Sequence, residues 1–122
     1  ENKCVIVRRD TLEKIEVSLD ELTEKINELL ENIQENMYNE CKKRLQEKTT
    51  IAQNMDEFTK NLEENQGYIK AMWCGSEECE EKIHELTGAK SRCIPFQQEK
   101  VGNRCVCCGK ETDTMVVWGR QY

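Results

Sequence analysis

The feature that most constrains the fold is a set of cysteines in the second half of the chain. Cys74 and Cys79 are separated by four residues, and further along Cys105 and Cys108 form a C-x-x-C motif that Gly109 follows. Four thiolates are enough to complete a tetrahedral structural zinc site. A glycine after the motif permits a positive φ, so backbone amides can point at the sulfurs. These residues therefore predict a site for Zn²⁺ that joins two distant parts of the chain.

The chain has eight cysteines, so other ligand choices stay open. Cys107 is the main rival because it lies inside the C-x-x-C motif. Cys93 is the next, although its apolar neighbours favour a place in the core, as they do for Cys41. A secreted disulfide-bonded protein is also possible. The crowding of Cys105, Cys107 and Cys108 and the lack of a secretory segment favour free thiols in a reducing cytosol.

Composition narrows the classes of function. The net charge is −6 and 34% of the residues are charged, so the large basic field that binds duplex nucleic acid is missing. No apolar run approaches membrane-spanning length, and we expect a cytoplasmic protein with no membrane partner. The chain starts with Glu1 instead of methionine, so we expect a processed product or an excised piece of a longer protein.

The residues give no support for catalysis by this chain alone. The sequence has no nucleophile-elbow, phosphate-loop or zinc-protease motif, and it has one histidine, His84. On the helix predicted over 77–87, His84 lies about 140° around the axis from Cys79, which predicts a surface residue. With no base nearby, the zinc site is predicted to be structural.

The first residues predict two short strands, over 4–10 and 14–17, joined by a polar turn. Two strands are not stable alone in water, so we expect the edge of a sheet whose other strands lie upstream. Arg8 and Arg9 could contact an RNA phosphate, but we favour the interpretation that they form a solvated strand end.

A long helix is predicted next. Ser18 and Glu21 form a capping box, and apolar residues recur at helical spacing as far as Leu45. The predicted helix, over 19–47, is about 45 Å long. A globule formed by the remaining residues would be only about 28 Å across. We therefore expect an upstream domain or another copy to cover part of its apolar stripe.

The second half predicts a small α/β unit. A polar connection over 48–54 precedes a helix over 55–65, with Phe58 and Leu62 facing inward and Gly67 as the C-cap. Strands are predicted over 68–73, 92–96 and 114–120, and a helix over 77–87 buries Cys79, Ile83 and Leu86. The fold class is therefore α+β: a long N-terminal helix, then a three-stranded antiparallel sheet with helices and a four-cysteine zinc site.

Several stretches of the sequence resemble one known family. The residues that carry the resemblance are Met72-Trp73-Cys74-Gly75, Cys79-Glu80, Lys90-Ser91-Arg92-Cys93-Ile94-Pro95-Phe96, Cys105-Val106-Cys107-Cys108-Gly109-Lys110 and Trp118-Gly119-Arg120-Gln121-Tyr122. Their order and spacing are similar to the C-terminal zinc-binding domain of prolyl-tRNA synthetase of the archaeal/eukaryotic type. Arg8-Arg9-Asp10-Thr11, with the strand and long helix after it, resembles the end of that family's anticodon-binding domain.

The resemblance implies a parent enzyme of class II that joins proline to its tRNA with ATP and Mg²⁺, as a homodimer whose active site lies upstream. It implies three regions: 1–17 as the last strands of the anticodon-binding domain, 18–66 as a helical linker and 67–122 as the zinc-binding domain. The family's zinc ligands map onto Cys74, Cys79, Cys105 and Cys108, and the extra Cys107 is a departure from the pattern. The carboxylate of Tyr122 would approach the parent's active site, and the catalytic and anticodon-binding domains would be partners.

Two other functions remain. One is an autonomous zinc-ribbon-like module that binds a protein or an RNA, and the other is a secreted helical protein held by disulfides. An unmatched apolar stripe on the long helix and an incomplete sheet at the start favour the synthetase domain over both. About eight free thiols after denaturation in chelator, without reductant, would exclude the disulfide-bonded protein.

Overall fold

The computed structural model describes residues 2–122 of the chain. In chain order the elements are β1 (Lys3–Val7), β2 (Lys14–Ser18), α1 (Leu22–Glu47), β3 (Thr49–Ile51), α2 (Met55–Asn65), β4 (Tyr68–Met72), α3 (Glu77–Thr87), β5 (Ala89–Cys93) and β6 (Met115–Arg120). They confirm the α+β class with a long helix ahead of a small sheet. Among these helices none is long and apolar enough to cross a membrane.

Contacts within the chain divide it into two compact units, 1–44 and 45–122. The first contains the two N-terminal strands and most of α1. The second contains the end of α1 and all later elements. The three regions implied by the family resemblance stay a prediction.

The first unit is built on a hairpin. β1 and β2 pair antiparallel from Lys3 opposite Ser18 to Val7 opposite Lys14, as the sequence predicts for two short strands. Val17 and Leu29 are the buried apolar side chains of this unit among the residues described. This is a small core, because most side chains of the hairpin are exposed or only half-buried.

The hairpin turn is held by a polar network. The Arg8 guanidinium donates to both carboxylate oxygens of Asp10, at 3.0 and 2.8 Å, and to the Asn32 side chain at 2.8 Å. The Asn36 amide donates to Asp10 at 3.0 Å. The two charged side chains are only 10% and 9% exposed, so the interpretation of Arg8 as a solvated strand end is wrong. Paired Asp and Arg can be buried in this way because each satisfies the other's hydrogen bonds.

Helix α1 begins at Leu22, later than the predicted residue 19. The predicted N-cap, Ser18, is the last residue of β2. Its hydroxyl accepts a hydrogen bond from the Asp20 amide at 3.3 Å, in the turn that precedes the helix. The helix has 26 residues, which is about 39 Å. Of its predicted apolar stripe only Leu29 is buried within the described chain, and Cys41 is exposed instead of lying in a core.

The sheet of the second unit has four strands in the order β3-β4-β6-β5. β4 and β5 each pair antiparallel with β6, but β3 pairs parallel with β4, from Thr49 opposite Tyr68 to Ile51 opposite Lys70. The predicted three-stranded, purely antiparallel sheet is therefore wrong in strand number and in one pairing. A three-residue edge strand is too short to show alternation in the sequence, and β3 exists only because β4 lies beside it.

The turn between α2 and β4 differs from the predicted glycine cap. Gln66 adopts the left-handed conformation at φ 48° as the C-cap of α2, and Gly67 follows it. A Cβ on Gly67 would lie 1.9 Å from the carbonyl oxygen of Lys48. Glycine is needed here because β3 and β4 begin in close contact, a constraint that helix capping does not reveal.

The core of the second unit lies between the sheet and helices α2 and α3. Its fully buried residues include Phe58, Leu62, Ile69, Ile83 and Trp118. The rings of Phe58 and Trp118 meet edge to face, with centroids 6.1 Å apart and planes at 78°. The predicted inward-facing side of α2 is thereby confirmed.

Strand β5 is displaced from its prediction. It covers Ala89–Cys93 and not 92–96, because it follows directly on Gly88, the C-cap of α3. Pro95 lies beyond the strand end.

Candidate metal centre

Four cysteine side chains meet at one end of the sheet in the second unit. The sulfurs of Cys74, Cys79, Cys105 and Cys108 all lie within 4.8 Å of one another. The Cys74 sulfur is 3.6 Å from that of Cys79 and 3.7 Å from that of Cys108. These are the residues that sequence spacing selects as ligands, and they could hold a metal ion.

The group is a set of free thiols. A disulfide would place two sulfurs about 2.05 Å apart, far closer than the distances here. Cys79 and Cys105 are buried, at 8% and 2% exposure, while Cys74 is half-buried and Cys108 is exposed. The group is therefore closed towards the core and open towards solvent on the side of Cys108.

The first pair of thiols is placed by the junction of β4 and α3. Cys74 follows the strand, and Gly75 turns the chain at φ 86°. Ser76 is the N-cap, as its residue type indicates, although its side chain makes no capping hydrogen bond within the described helix. Cys79 then lies in the first turn of α3, where the helix dipole favours a thiolate.

The second pair lies on a tight turn over residues 105–110, which we call the cysteine turn. The Cys105 amide donates to the Lys110 carbonyl at 2.8 Å, and the Gly109 amide donates to the Cys105 carbonyl at 3.0 Å. Gly109 has φ 74°, which confirms the positive φ expected from the motif. The turn thereby directs Cys105 and Cys108 to the same side.

Backbone bonds attach this turn to the sheet. The Val106 amide donates to the Met72 carbonyl at 3.0 Å, and Val106 is itself part of the core. The Trp73 amide donates to the Thr114 carbonyl at 3.0 Å, and the Thr112 hydroxyl donates to the Trp73 carbonyl at 2.8 Å. Sequence reasoning missed these supporting residues. Of these residues, only Val106 could have been found from the sequence, because an apolar side chain between two cysteines indicates that it packs into the core.

The thiols differ in acidity. Burial raises the pKa of Cys79 and that of Cys74 above the ordinary range for a thiol. A hydrogen bond from the Lys110 backbone amide lowers the pKa of Cys108 to about 7. Cys108 is thus the most readily ionised of these three, and an ion bound by all four would displace protons from the other sulfurs.

Helix α3 turns a narrower face inward than predicted. Cys79, Ile83 and Thr87 are buried, but Leu86 is 63% exposed. The buried face is centred on Ile83, and Leu86 lies about 60° from that centre at 100° per residue. His84 is exposed, as its position relative to Cys79 predicts.

The two rival cysteines lie outside the group. Cys107 is half-buried and packs against the hydrophobic core. Cys93, at the end of an edge strand, is exposed, so its predicted place in the core is wrong. Tyr122, at the end of the chain, is almost fully exposed, and its predicted role stays a prediction.

A family model, curated relatives and solved structures that match this chain all describe the same kind of protein. Residues 55–122, which contain all four cysteines, match the family model described as prolyl-tRNA synthetase, C-terminal. A proline–tRNA ligase of Clostridium botulinum (strain Okra / Type B1) is 53% identical over 121 residues. Proline–tRNA ligase 2 of Clostridioides difficile (strain 630) is 50% identical over 121 residues. Each match covers 99% of this chain and 25% of the relative, so the chain spans about a quarter of their length.

The same family appears among solved structures. The prolyl-tRNA synthetase of Cryptosporidium parvum, solved with L-proline and AMP, matches with a TM-score of 0.90 and 30% identity. The match covers 99% of this chain and 26% of that structure. Because a family model covers more than half of its residues, the chain belongs to the family of prolyl-tRNA synthetase C-terminal domains.

Proposed function

We propose that this chain is the C-terminal part of a prolyl-tRNA synthetase of the archaeal/eukaryotic type and carries a structural Zn²⁺. The complete protein would join proline to its tRNA with ATP and Mg²⁺, as a homodimer in the cytoplasm. This part would contain no catalytic group of its own. The observation that carries the proposal is that the four clustered cysteines lie inside the stretch that matches the family.

The distances between the sulfurs support zinc. A zinc–thiolate bond is about 2.3 Å long, so two sulfurs of a tetrahedral site are about 3.8 Å apart. The separations of 3.6 and 3.7 Å from Cys74 are close to that value. Four thiolates also leave no position for a water, which is typical of structural sites.

Two segments of the chain would each supply two ligands to the ion. Cys74 and Cys79 would bind it from the β4–α3 junction, and Cys105 and Cys108 from the cysteine turn. The two buried thiols exclude water from the inner side, and the Lys110 amide offsets part of the negative charge through its bond to Cys108. The ion would thus fasten the cysteine turn to the end of the sheet.

The proposal includes the three regions and the role of Tyr122 that the family resemblance implies. Residues 1–17 would be the last strands of an anticodon-binding domain, 18–66 a helical linker and 67–122 the zinc-binding domain. Exposed apolar side chains on α1, such as Leu30 and Met37, support an upstream partner domain. The Tyr122 carboxylate would approach the parent's active site.

Elemental analysis tests the metal site. We expect one zinc per purified chain, and its loss in a Cys74→Ser/Cys105→Ser double variant. A Cys41→Ser/Cys93→Ser double variant is the matched control, because both thiols are exposed and outside the group. Zinc retained in the first variant would refute ligation by these cysteines.

A second experiment tests the synthetase assignment. The protein encoded by the complete gene should catalyse proline-dependent exchange of pyrophosphate into ATP, and the 122-residue chain should not. Exchange that depends on another amino acid would overturn the assignment. Full folding and tight binding of a protein or RNA by the isolated chain, without exchange by the complete protein, would favour an interaction module.

A further inference from the structure

We propose that the four-cysteine group is also a site of oxidation, at which hydrogen peroxide converts Cys74 and Cys108 into a disulfide. Loss of these two thiolates would expel the metal ion. The release of the ion rests on the zinc ligation proposed above. The formation of the disulfide rests only on the positions of the thiols.

Exposure selects the thiol that reacts first. Cys108 is the exposed member of the group, whereas Cys79 and Cys105 are buried against the core. An oxidant in solution reaches exposed thiols first. Cys41 and Cys93 are also exposed, but they lie outside the cluster of thiols that could complete a disulfide.

The reaction proceeds in two balanced steps. The Cys108 sulfur attacks one oxygen of peroxide, so that an S–O bond forms, the O–O bond breaks and hydroxide leaves as water. The Cys74 sulfur then attacks the sulfur of this sulfenic acid, forming the S–S bond, breaking the S–O bond and releasing the hydroxyl as a second water. The proton that each leaving hydroxide gains comes from the attacking thiol in the metal-free chain and from solvent in the metal-bound chain, where both cysteines are thiolates. Two thiols are oxidised by two electrons, and one peroxide is reduced to two waters.

Local structure selects Cys74 as the second partner. Its sulfur is 3.7 Å from that of Cys108, so the two must approach by about 1.6 Å to reach a disulfide distance. Both thiols adjoin a glycine with positive φ, Gly75 and Gly109, and a Cβ added to either glycine would meet no atom within 4 Å apart from its chain neighbours. Neither glycine is therefore packed against another segment. Cys79 lies in the first turn of α3 and is buried, so its approach would require the helix to shift. Cys105 is buried as well, and its amide and carbonyl are both hydrogen-bonded within the turn, so its approach would require the turn to break these bonds.

The disulfide would join the same two segments that the metal joins. Cys74 belongs to the β4–α3 junction and Cys108 to the cysteine turn, whereas a bond between Cys74 and Cys79 would stay within one segment. Closing the long loop between Cys74 and Cys108 restricts the unfolded chain. In the oxidised, metal-free chain we expect the cysteine turn to stay attached to the sheet. In the reduced, metal-free chain we expect this attachment to loosen.

The test treats the purified chain with hydrogen peroxide and measures zinc release with a colorimetric chelator. Peptides are then mapped without reductant. Cleavage after Glu77 or Glu78 separates Cys74 from Cys79, and fragmentation spectra distinguish Cys105, Cys107 and Cys108. We expect zinc release to parallel a Cys74–Cys108 link. Amide exchange at Val106 should be slower, on the order of a hundredfold, in the oxidised than in the reduced metal-free chain.

Two variants separate this reaction from other oxidation. Cys107→Ser keeps all four clustered thiols and should form the same link, whereas Cys108→Ser should not form it. A first link between Cys105 and Cys108 or between Cys74 and Cys79, or unlinked thiols after excess peroxide, would overturn the proposal. If the untreated chain holds no zinc, the proposed metal site fails by itself, and the mapped link still decides the oxidation site.

Discussion

Removal of the metal ion under reducing conditions should loosen the second unit and leave the first unchanged. The cysteine turn is attached to the sheet through the four sulfurs, the core side chain of Val106 and a few backbone bonds, among them that from the Val106 amide to Met72 at 3.0 Å. Without the ion, the sulfurs no longer hold the β4–α3 junction to this turn. Exchange should therefore rise first at the amides of Val106 and Trp73.

The size of the effect follows from mass action. An ion that binds only the folded form stabilises it by about 2.7 kcal/mol when its free concentration is one hundred times its dissociation constant. This corresponds to a change of about a hundredfold in the population of the open form. Zinc-finger peptides bind their ion with about 10–16 kcal/mol at neutral pH, so this concentration is reached with very little free zinc.

Hydrogen exchange measured by NMR, with and without chelator, tests the prediction. The amides of residues 22–44 in α1 are the internal control, because they belong to the other unit. Cys74→Ser should reproduce the effect of the chelator, and Cys93→Ser should not. Equal protection of Val106 with and without the ion, in a chain shown to bind zinc, would refute the reasoning.

Three further predictions address other parts of the chain. Gly67→Ala should destabilise the second unit by about 3 kcal/mol or more because its Cβ meets a backbone carbonyl, whereas Gly75→Ala, with open space but φ 86°, should cost about 1–2 kcal/mol. Urea denaturation followed by tryptophan fluorescence measures both, and equal costs would contradict the steric argument. Hydrogen bonds from Arg8 hold the pKa of Asp10 below its ordinary value, so its contribution to stability is present above about pH 4 and is lost as the pH falls below that value. Asp10→Asn should remove this pH dependence of exchange in the hairpin, and an unchanged pH profile would contradict it. In a thiol titration of the metal-loaded native chain, Cys41 and Cys93 should react fastest because both are exposed and lie outside the four-cysteine group, and the four clustered thiols should react more slowly until a chelator removes the ion.

The two units differ in how much apolar surface they bury. The buried apolar residues of the first unit are few, and much of α1 exposes apolar side chains. The second unit has a larger core, with Trp118 and Phe58 at its centre. The first unit therefore has the smaller apolar core of the two.

The local features of this protein could be predicted from its sequence. The bounds of α2 and α3 agree with the apolar spacing, although the C-cap of α2 is Gln66 and not the predicted Gly67, because apolar spacing acts over a few residues. The four cysteines that meet in the structure were selectable from the C-x-x-C-G turn and the helix start near Ser76, because each pair is positioned by its own short segment.

Tertiary structure decided the rest. Strand β3, the close approach at Gly67 and the exposure of Cys93 all depend on which strand lies beside which, and neighbours in space leave no pattern within a short stretch of chain. The burial of Arg8 likewise depends on Asn32, which is distant in sequence. Local hydrogen bonding and side-chain spacing depend on residues that are close in the sequence. Strand pairing and burial arise only when segments distant in the sequence pack together and exclude water from each other.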